Sequence, residues 1–136
     1  MVLKSTVEIP IFNDTLVAHN RVLRRAKPEI LQLNIGKICN LTCIHCHVNA
    51  GPGRKEMMTR ETIDRILGWL EPIEIPIVDL TGGAPEMIPD FKYLILELKK
   101  QNHSRHLIDR CNLTILNEPG YEDIAEFLAG HKVEIV

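Results

Sequence analysis

The stretch EIPIVDLTGGAPEMIPDFKYLILELKK (Glu74–Lys100) holds a strand, a glycine turn and a helix in that order. EIPIVDL is a short apolar run of strand length. It ends in Thr81-Gly82-Gly83-Ala84-Pro85-Glu86, where two glycines and a proline break regular structure. From about Asp90, Phe91, Leu94, Ile95 and Leu98 recur at helical spacing, and Lys99 and Lys100 fall at the negative end of the helix dipole. This is one βα unit.

The same unit recurs on either side. Upstream, EILQLNIG (Glu29–Gly36) alternates Leu31, Leu33 and Ile35 with Gln32 and Asn34, the period of a strand. A loop rich in Asn, Gly and Pro runs to Gly53. Thr59 then offers an N-cap to a helix with the stripe Ile63, Ile66, Leu67 and Leu70, and Trp69 is expected to pack beside it. Downstream, RHLIDRCN reads as a third strand. GYEDIAEFLAG reads as a third helix with Gly130 as its stop, and KVEIV opens a fourth strand. Strand–helix alternation with short connectors predicts an α/β fold with a parallel sheet. The expected architecture is a partial (βα) barrel of about three and a half βα units. Residues 1–29 are assigned to a lead-in segment, with weak helical spacing in TLVAHNRVLRRA closed by Pro28, and residues 30–136 to the core. A chain ending in a fourth strand reads as the N-terminal part of a larger barrel, with an open sheet edge.

Composition narrows function without naming it. The 136 residues are 45% hydrophobic and 25% charged, with a formal net charge of −2. That balance offers no pull toward nucleic acid or a membrane surface. No apolar run approaches membrane-span length, and MVLKSTVEIPIFNDTL lacks the continuous apolar stretch of a signal peptide. Four cysteines, three in one loop, argue against a disulfide framework, so a reducing cytoplasm is the expected compartment.

Those three are Cys39, Cys43 and Cys46, spaced C-x3-C-x2-C. A closed structural zinc or iron–sulfur site uses four protein ligands, so three thiolates leave one metal position open for another ligand. The bland alternative is a zinc site completed by His45 or His47. In parallel α/β folds ligands gather at the carboxyl ends of the strands. The cysteine loop follows strand one, Gly82-Gly83 follows strand two and Cys111 follows strand three, so all three fall on one rim.

With Cys39–Cys46 followed by Gly82-Gly83-Ala84-Pro85, the chain resembles the radical S-adenosylmethionine (radical SAM) enzymes. Two departures stand out: His45 occupies a place usually aromatic, and Ala84 replaces the glutamate of a Gly-Gly-Glu-Pro-like turn, with Glu86 following. LQLNIGKICNLTCIHCHVNAGPGRKEMM, DLTGGAPEM and DRCNLTILNEPGYEDIAEFLAGHKVEIV are similar to the arsenosugar-biosynthesis members, over roughly Ile30 to the end of the chain. The resemblance implies that Cys39, Cys43 and Cys46 ligate a [4Fe–4S] cluster. It implies that His45, Gly82, Gly83, Ala84 and Pro85 contact S-adenosylmethionine, the turn mainly through its backbone. It further implies a 5′-deoxyadenosyl radical, a small-molecule substrate of the methylated-arsenical type, and a one-electron donor such as flavodoxin or ferredoxin.

The remaining residues divide by role. Cys111 is by default a small buried hydrophobe; its tentative catalytic role is a soft thiolate that holds arsenic(III). Arg110 and Asn112 flank it. Arg54 and Glu56 read as solvated charges, Met57 and Met58 as packing under the loop, and His19, His103, His106 and His131 as surface or helix-end residues. Two other functions stay open: a radical SAM enzyme with a different substrate such as a peptide, and a non-catalytic zinc- or iron–sulfur-binding module.

Overall fold

Four parallel strands in the spatial order β1-β2-β3-β4 form the sheet of the computed structural model, which describes residues 10–136. The strands are β1 (Ile30–Asn34), β2 (Ile77–Thr81), β3 (His106–Asp109) and β4 (Val133–Ile135). Between them run helices α2 (Arg60–Leu70), α3 (Phe91–Gln101) and α4 (Ile124–Gly130), and α1 (Phe12–Ala18) precedes the sheet. Strands added in sequence order by right-handed crossovers place every helix on the same face. That is the arrangement of a (βα) barrel rather than of a doubly wound sheet.

Register shows which side chains share that face. Leu33, Leu80, Asp109 and Ile135 lie in one row, and Leu31, Val78, Leu107 and Val133 in another. These rows meet Ile63, Leu67 and Leu70 of α2 and Phe91, Leu94, Ile95 and Leu98 of α3 in one core. The opposite face carries Gln32, Asp79 and Thr81 beside Ile77 and Ile108. There Gln32 Nε2 donates to Asp79 at 3.0 Å, and Arg110 donates from Nε and Nη2 to the same carboxylate at 2.8–3.1 Å.

Local signals place the helices where the spacing predicted. Thr59 caps α2 by accepting the Thr62 N–H. Three differences have simple causes. Trp69 is 53% exposed, because one helical step turns it off the stripe that ends at Leu70. The first helix starts earlier than TLVAHNRVLRRA and ends at Ala18, where Asn20 turns left-handed (φ 50°), well before Pro28. The helix expected from Gly120 begins only at Ile124, because Gly120 is held at a positive φ of 91° that a helix does not accept. It ends at Gly130, the expected stop, and the left-handed residue follows at Lys132 (φ 52°). Residues 1–9 of the lead-in lie outside the described residues. Among the described residues no helix is long and apolar enough to cross a membrane.

Candidate functional site

The loop that leaves β1 is built before any ligand is considered. Met58 N–H donates to Ile35 O at 2.7 Å, and Lys37 N–H donates to Glu56 O at 2.8 Å. Higher up, Gly51 N–H donates to Lys37 O at 3.0 Å and Cys39 N–H to Gly51 O at 3.4 Å. The segment from Gly36 to Met58 is therefore closed at its base and again at its waist. Beyond the waist two tight turns, Cys46 N–H to Cys43 O (3.1 Å) and Asn49 N–H to Cys46 O (3.0 Å), carry the second and third cysteines. Cys39 is buried, Cys46 half-buried and Cys43 exposed, all as free thiols. His45 and His47 are exposed on the same turns, and Ile44 is fully exposed.

The glycine turn after β2 packs directly against that loop. Gly83 N–H donates to Gly36 O at 3.0 Å and Ala84 N–H to Ile38 O at 2.9 Å. Both glycines are required by contact. A Cβ on Gly83 would lie 2.0 Å from Ile38 O, and one on Gly82 (φ 146°) would lie 2.5 Å from Gly36 O. These two N–H groups of the turn are thus engaged by the cysteine loop. What the turn can offer an ammonium group is carbonyl oxygen. Ala84 and Pro85 are buried under it.

The loop after β3 completes the rim. Asn112 Nδ2 donates to Asn40 Oδ1 at 2.8 Å and approaches Cys39 Sγ at 3.6 Å. Asn40 Nδ2 in turn donates to Thr114 Oγ1 at 2.9 Å and Glu118 Oε1 at 3.1 Å. The ends of three strands, expected to converge, are hydrogen-bonded to one another. Of the residues named from sequence, Asn112 reaches the cysteine loop and Arg110 turns instead to Asp79. Asn40, Thr114 and Glu118 carry no sequence signal; partners more than seventy residues apart are not readable from spacing. Arg54 and Glu56 pair with each other in solvent. Met58 packs on the core, whereas Met57 is 39% exposed.

The donor set suits thiolate ligation. Ala50 N–H donates to Cys46 Sγ at 3.3 Å, and the amides of Ala50, then Val48 and Asn49, lower the Cys46 thiol pKa against the opposing effect of burial. Cys39 Sγ accepts from Leu41 N–H at 3.4 Å. Three thiolates on one loop are the donor type that an iron–sulfur centre takes.

Cys111 faces elsewhere. It is buried beside Glu86 and Asp109, and its thiol pKa is pushed up to about 12, first by burial and then by the contact and charge of Glu86 and the charge of Asp109. Leu113, held left-handed at φ 61°, directs its N–H to Cys111 Sγ at 3.2 Å. Asp109 is likewise shifted well above the carboxylate range, chiefly by burial and then by Glu86. These surroundings favour the thiol over the thiolate that its tentative role requires.

The family model described as the Radical SAM superfamily matches residues 33–136. A probable GTP 3′,8-cyclase of Pyrococcus horikoshii is 36% identical over 69 residues, 51% of this chain and 22% of that protein. A mycofactocin maturase of Mycobacterium tuberculosis is 37% identical over 71 residues, 50% of this chain and 17% of that protein. A second probable GTP 3′,8-cyclase, from Saccharolobus islandicus, is 26% identical over 94 residues, 69% of this chain and 30% of that protein. The matched part thus spans less than a third of the length of these relatives.

Proposed function

The chain belongs to the radical SAM superfamily, and from that premise we propose that it is the cluster-binding part of an enzyme that makes a 5′-deoxyadenosyl radical. The observation that carries this reading is the locking of the cysteine loop to the glycine turn through Gly36 and Ile38. Members of the superfamily use a [4Fe–4S] cluster and S-adenosylmethionine. When bound, the pair supplies one-electron cleavage of a sulfonium carbon–sulfur bond.

The chain's own residues have separable tasks. Cys39, Cys43 and Cys46 would hold three irons, and the amides at Ala50 and Leu41 stabilise the negative charge on two of the sulfurs. The carbonyls of the Gly82–Ala84 turn would accept from the methionine ammonium, and Pro85 holds the turn rigid. His45, exposed on the Cys43–Cys46 turn, would cover the adenine face. Asn112 and Asn40 keep the loop on the β3 rim.

The substrate we propose is a trivalent methylated arsenical, which would be joined to the deoxyadenosyl carbon. This rests on the likeness of the three motif stretches to the arsenosugar-biosynthesis proteins. Similarity to a mycofactocin maturase supports a second reading, in which the substrate is a peptide. A small-molecule or peptide substrate, a flavodoxin- or ferredoxin-like donor and a cytoplasmic setting belong to both readings.

The test is anaerobic reconstitution with iron and sulfide, then EPR of the reduced protein with and without S-adenosylmethionine. A [4Fe–4S] signal that changes with the cofactor, and 5′-deoxyadenosine in the product, support the proposal. A colourless protein that retains zinc supports a non-catalytic binding module instead. Product analysis with methylated arsenicals and with peptides then separates the substrates.

A further inference from the structure

Asp109 breaks the pattern of its own sheet face. Its row is otherwise Leu33, Leu80 and Ile135, and the neighbouring row is Leu31, Val78, Leu107 and Val133. An acid in such a row, 0% exposed, needs compensation. The residue that meets it is another acid. Glu86, 5% exposed, comes in from the 3-10 turn Pro85–Met87. All four carboxylate oxygens of Glu86 and Asp109 are buried without a hydrogen-bond partner among the described residues. Arg110 and Arg105, the cations nearest in sequence to Asp109, are engaged elsewhere. Arg110 turns to Asp79 on the opposite face, and Arg105 donates to Ile75 O and Gln101.

A second observation is independent of this missing compensation. Cys111 Sγ joins the pair, and one ligand atom from each of Glu86, Asp109 and Cys111 lies within 4.8 Å of the other two. Glu86 comes from the turn after β2, Asp109 from the end of β3 and Cys111 from the loop that follows it. Two carboxylates and one sulfur form a mixed hard and soft donor set. Borderline divalent cations such as zinc, cobalt(II) or iron(II) are the ions that accept both kinds of donor.

We propose that Glu86, Asp109 and Cys111 bind one borderline divalent cation, at a site distinct from Cys39, Cys43 and Cys46. The cation neutralises two carboxylates that have no other partner. It also deprotonates the thiol, since coordination inverts the charge preference of a buried sulfur. Two protons leave to solvent, one from the Cys111 sulfur and one held by the buried Glu86–Asp109 carboxyl pair, and sulfur–metal and oxygen–metal bonds form with no change of oxidation state. Three protein donors leave at least one coordination position open. The site lies directly beneath the glycine turn, because Glu86 follows Pro85. It also adjoins the Asn112 contact to Cys39, because Cys111 precedes Asn112. The inference does not rest on the proposed radical chemistry.

The test uses the full chain with Cys39, Cys43 and Cys46 changed to Ala, which leaves Cys111 as its one thiol. After treatment with a chelator, the protein is titrated with cobalt(II). One cobalt per chain is expected, with a thiolate-to-cobalt charge-transfer band in the near ultraviolet and a thermal midpoint that rises with cobalt concentration. Cys111→Ser abolishes the band. Glu86→Gln and Asp109→Asn each weaken binding at least about tenfold, the loss found when even an outer-shell partner is removed. Histidine binding gives cobalt without the thiolate band, so a band-free signal overturns the proposal. So does binding that Glu86→Gln and Asp109→Asn leave unchanged. A chain whose midpoint cobalt does not move, and which Asp109→Asn stabilises, holds a shared proton there, and that also overturns the proposal. Where the triple variant does not fold, the wild-type chain carrying its cluster is analysed for one divalent ion beyond the cluster iron, lost on Cys111→Ser. No such ion, or one that survives Cys111→Ser, refutes the site.

Discussion

Substituting Gly83 by Ala adds one methyl group where there is no room for it. The new Cβ would sit 2.0 Å from Ile38 O, 2.7 Å from Ile38 C and 3.0 Å from Lys37 C, all backbone atoms. Backbone cannot swing aside as a flexible side chain does, so the turn and the loop must separate. Separation breaks Gly83 N–H to Gly36 O and Ala84 N–H to Ile38 O. Two hydrogen bonds at about 0.5–1.5 kcal/mol each, with about 1–3 kcal/mol for overpacking, give a loss of about 2–6 kcal/mol. That is a large share of the stability of a typical domain, about 5–15 kcal/mol. The assay is urea unfolding of wild type and variant, followed by far-ultraviolet circular dichroism. Gly68→Ala is the control. A Cβ there meets nothing within 4 Å, and Gly68 lies in α2. Alanine at that helical position should stabilise by about 0.5–1 kcal/mol. The two changes are chemically identical and opposite in expected sign. If Gly83→Ala falls within about 0.5 kcal/mol of wild type, the usual range for an uninvolved site, the tight crossing of turn and loop is refuted.

Three other perturbations test separate parts of the structure. The Asp79 carboxyl is held below its ordinary pKa of 3.8, first by Arg110, against burial, and further by Gln32. A depressed folded pKa makes stability full above about pH 4 and lost as pH falls through the folded value. Asp79→Asn should therefore flatten the acid limb of the stability–pH curve and cost about 1 kcal/mol at neutral pH, a modest figure because Arg110 is half in solvent; an unchanged acid limb would sink the assignment. Asn112→Ala removes the donors to Asn40 and Cys39 and the acceptor for Ile115 N–H and Thr114 Oγ1. It should destabilise by about 1–3 kcal/mol and speed amide exchange at Leu41 and Ile115; exchange equal to wild type would show that the loops are tied some other way. Thr59→Ala deletes the cap on Thr62 N–H and should cost about 1 kcal/mol in a thermal melt, with Thr59→Ser retaining most of it. A serine variant as weak as the alanine one would rule out the hydroxyl as the cause.

The local signals in this chain are unusually consistent with its fold. The stripe Ile63, Leu67, Leu70 and the stripe Phe91, Leu94, Ile95, Leu98 are buried as their spacing requires. A helix buries one face through contacts three and four residues apart, and these are visible in sequence. Trp69 and the late start of α4 mark where that logic ends. Trp69 is apolar but off the stripe, and the positive φ of Gly120 has no periodicity to betray it.

By itself the sequence determined the alternation of strands and helices, the parallel sheet, and the placing of Cys39–Cys46, Gly82-Gly83 and Cys111 at one rim. All of these follow from periods of two and 3.6 residues and from turn residues read in order. Only the tertiary structure decided what those groups meet. It turned the Gly83 and Ala84 amides onto the cysteine loop, linked Asn112 to Asn40 and Cys39, and placed Cys111 against Glu86 and Asp109. The physical reason is that strand pairing sets which row each side chain joins and which neighbour lies opposite. The register Leu80↔Asp109 brings an acid to the buried face. Nothing within a few residues of Asp109 signals that Glu86 will be there.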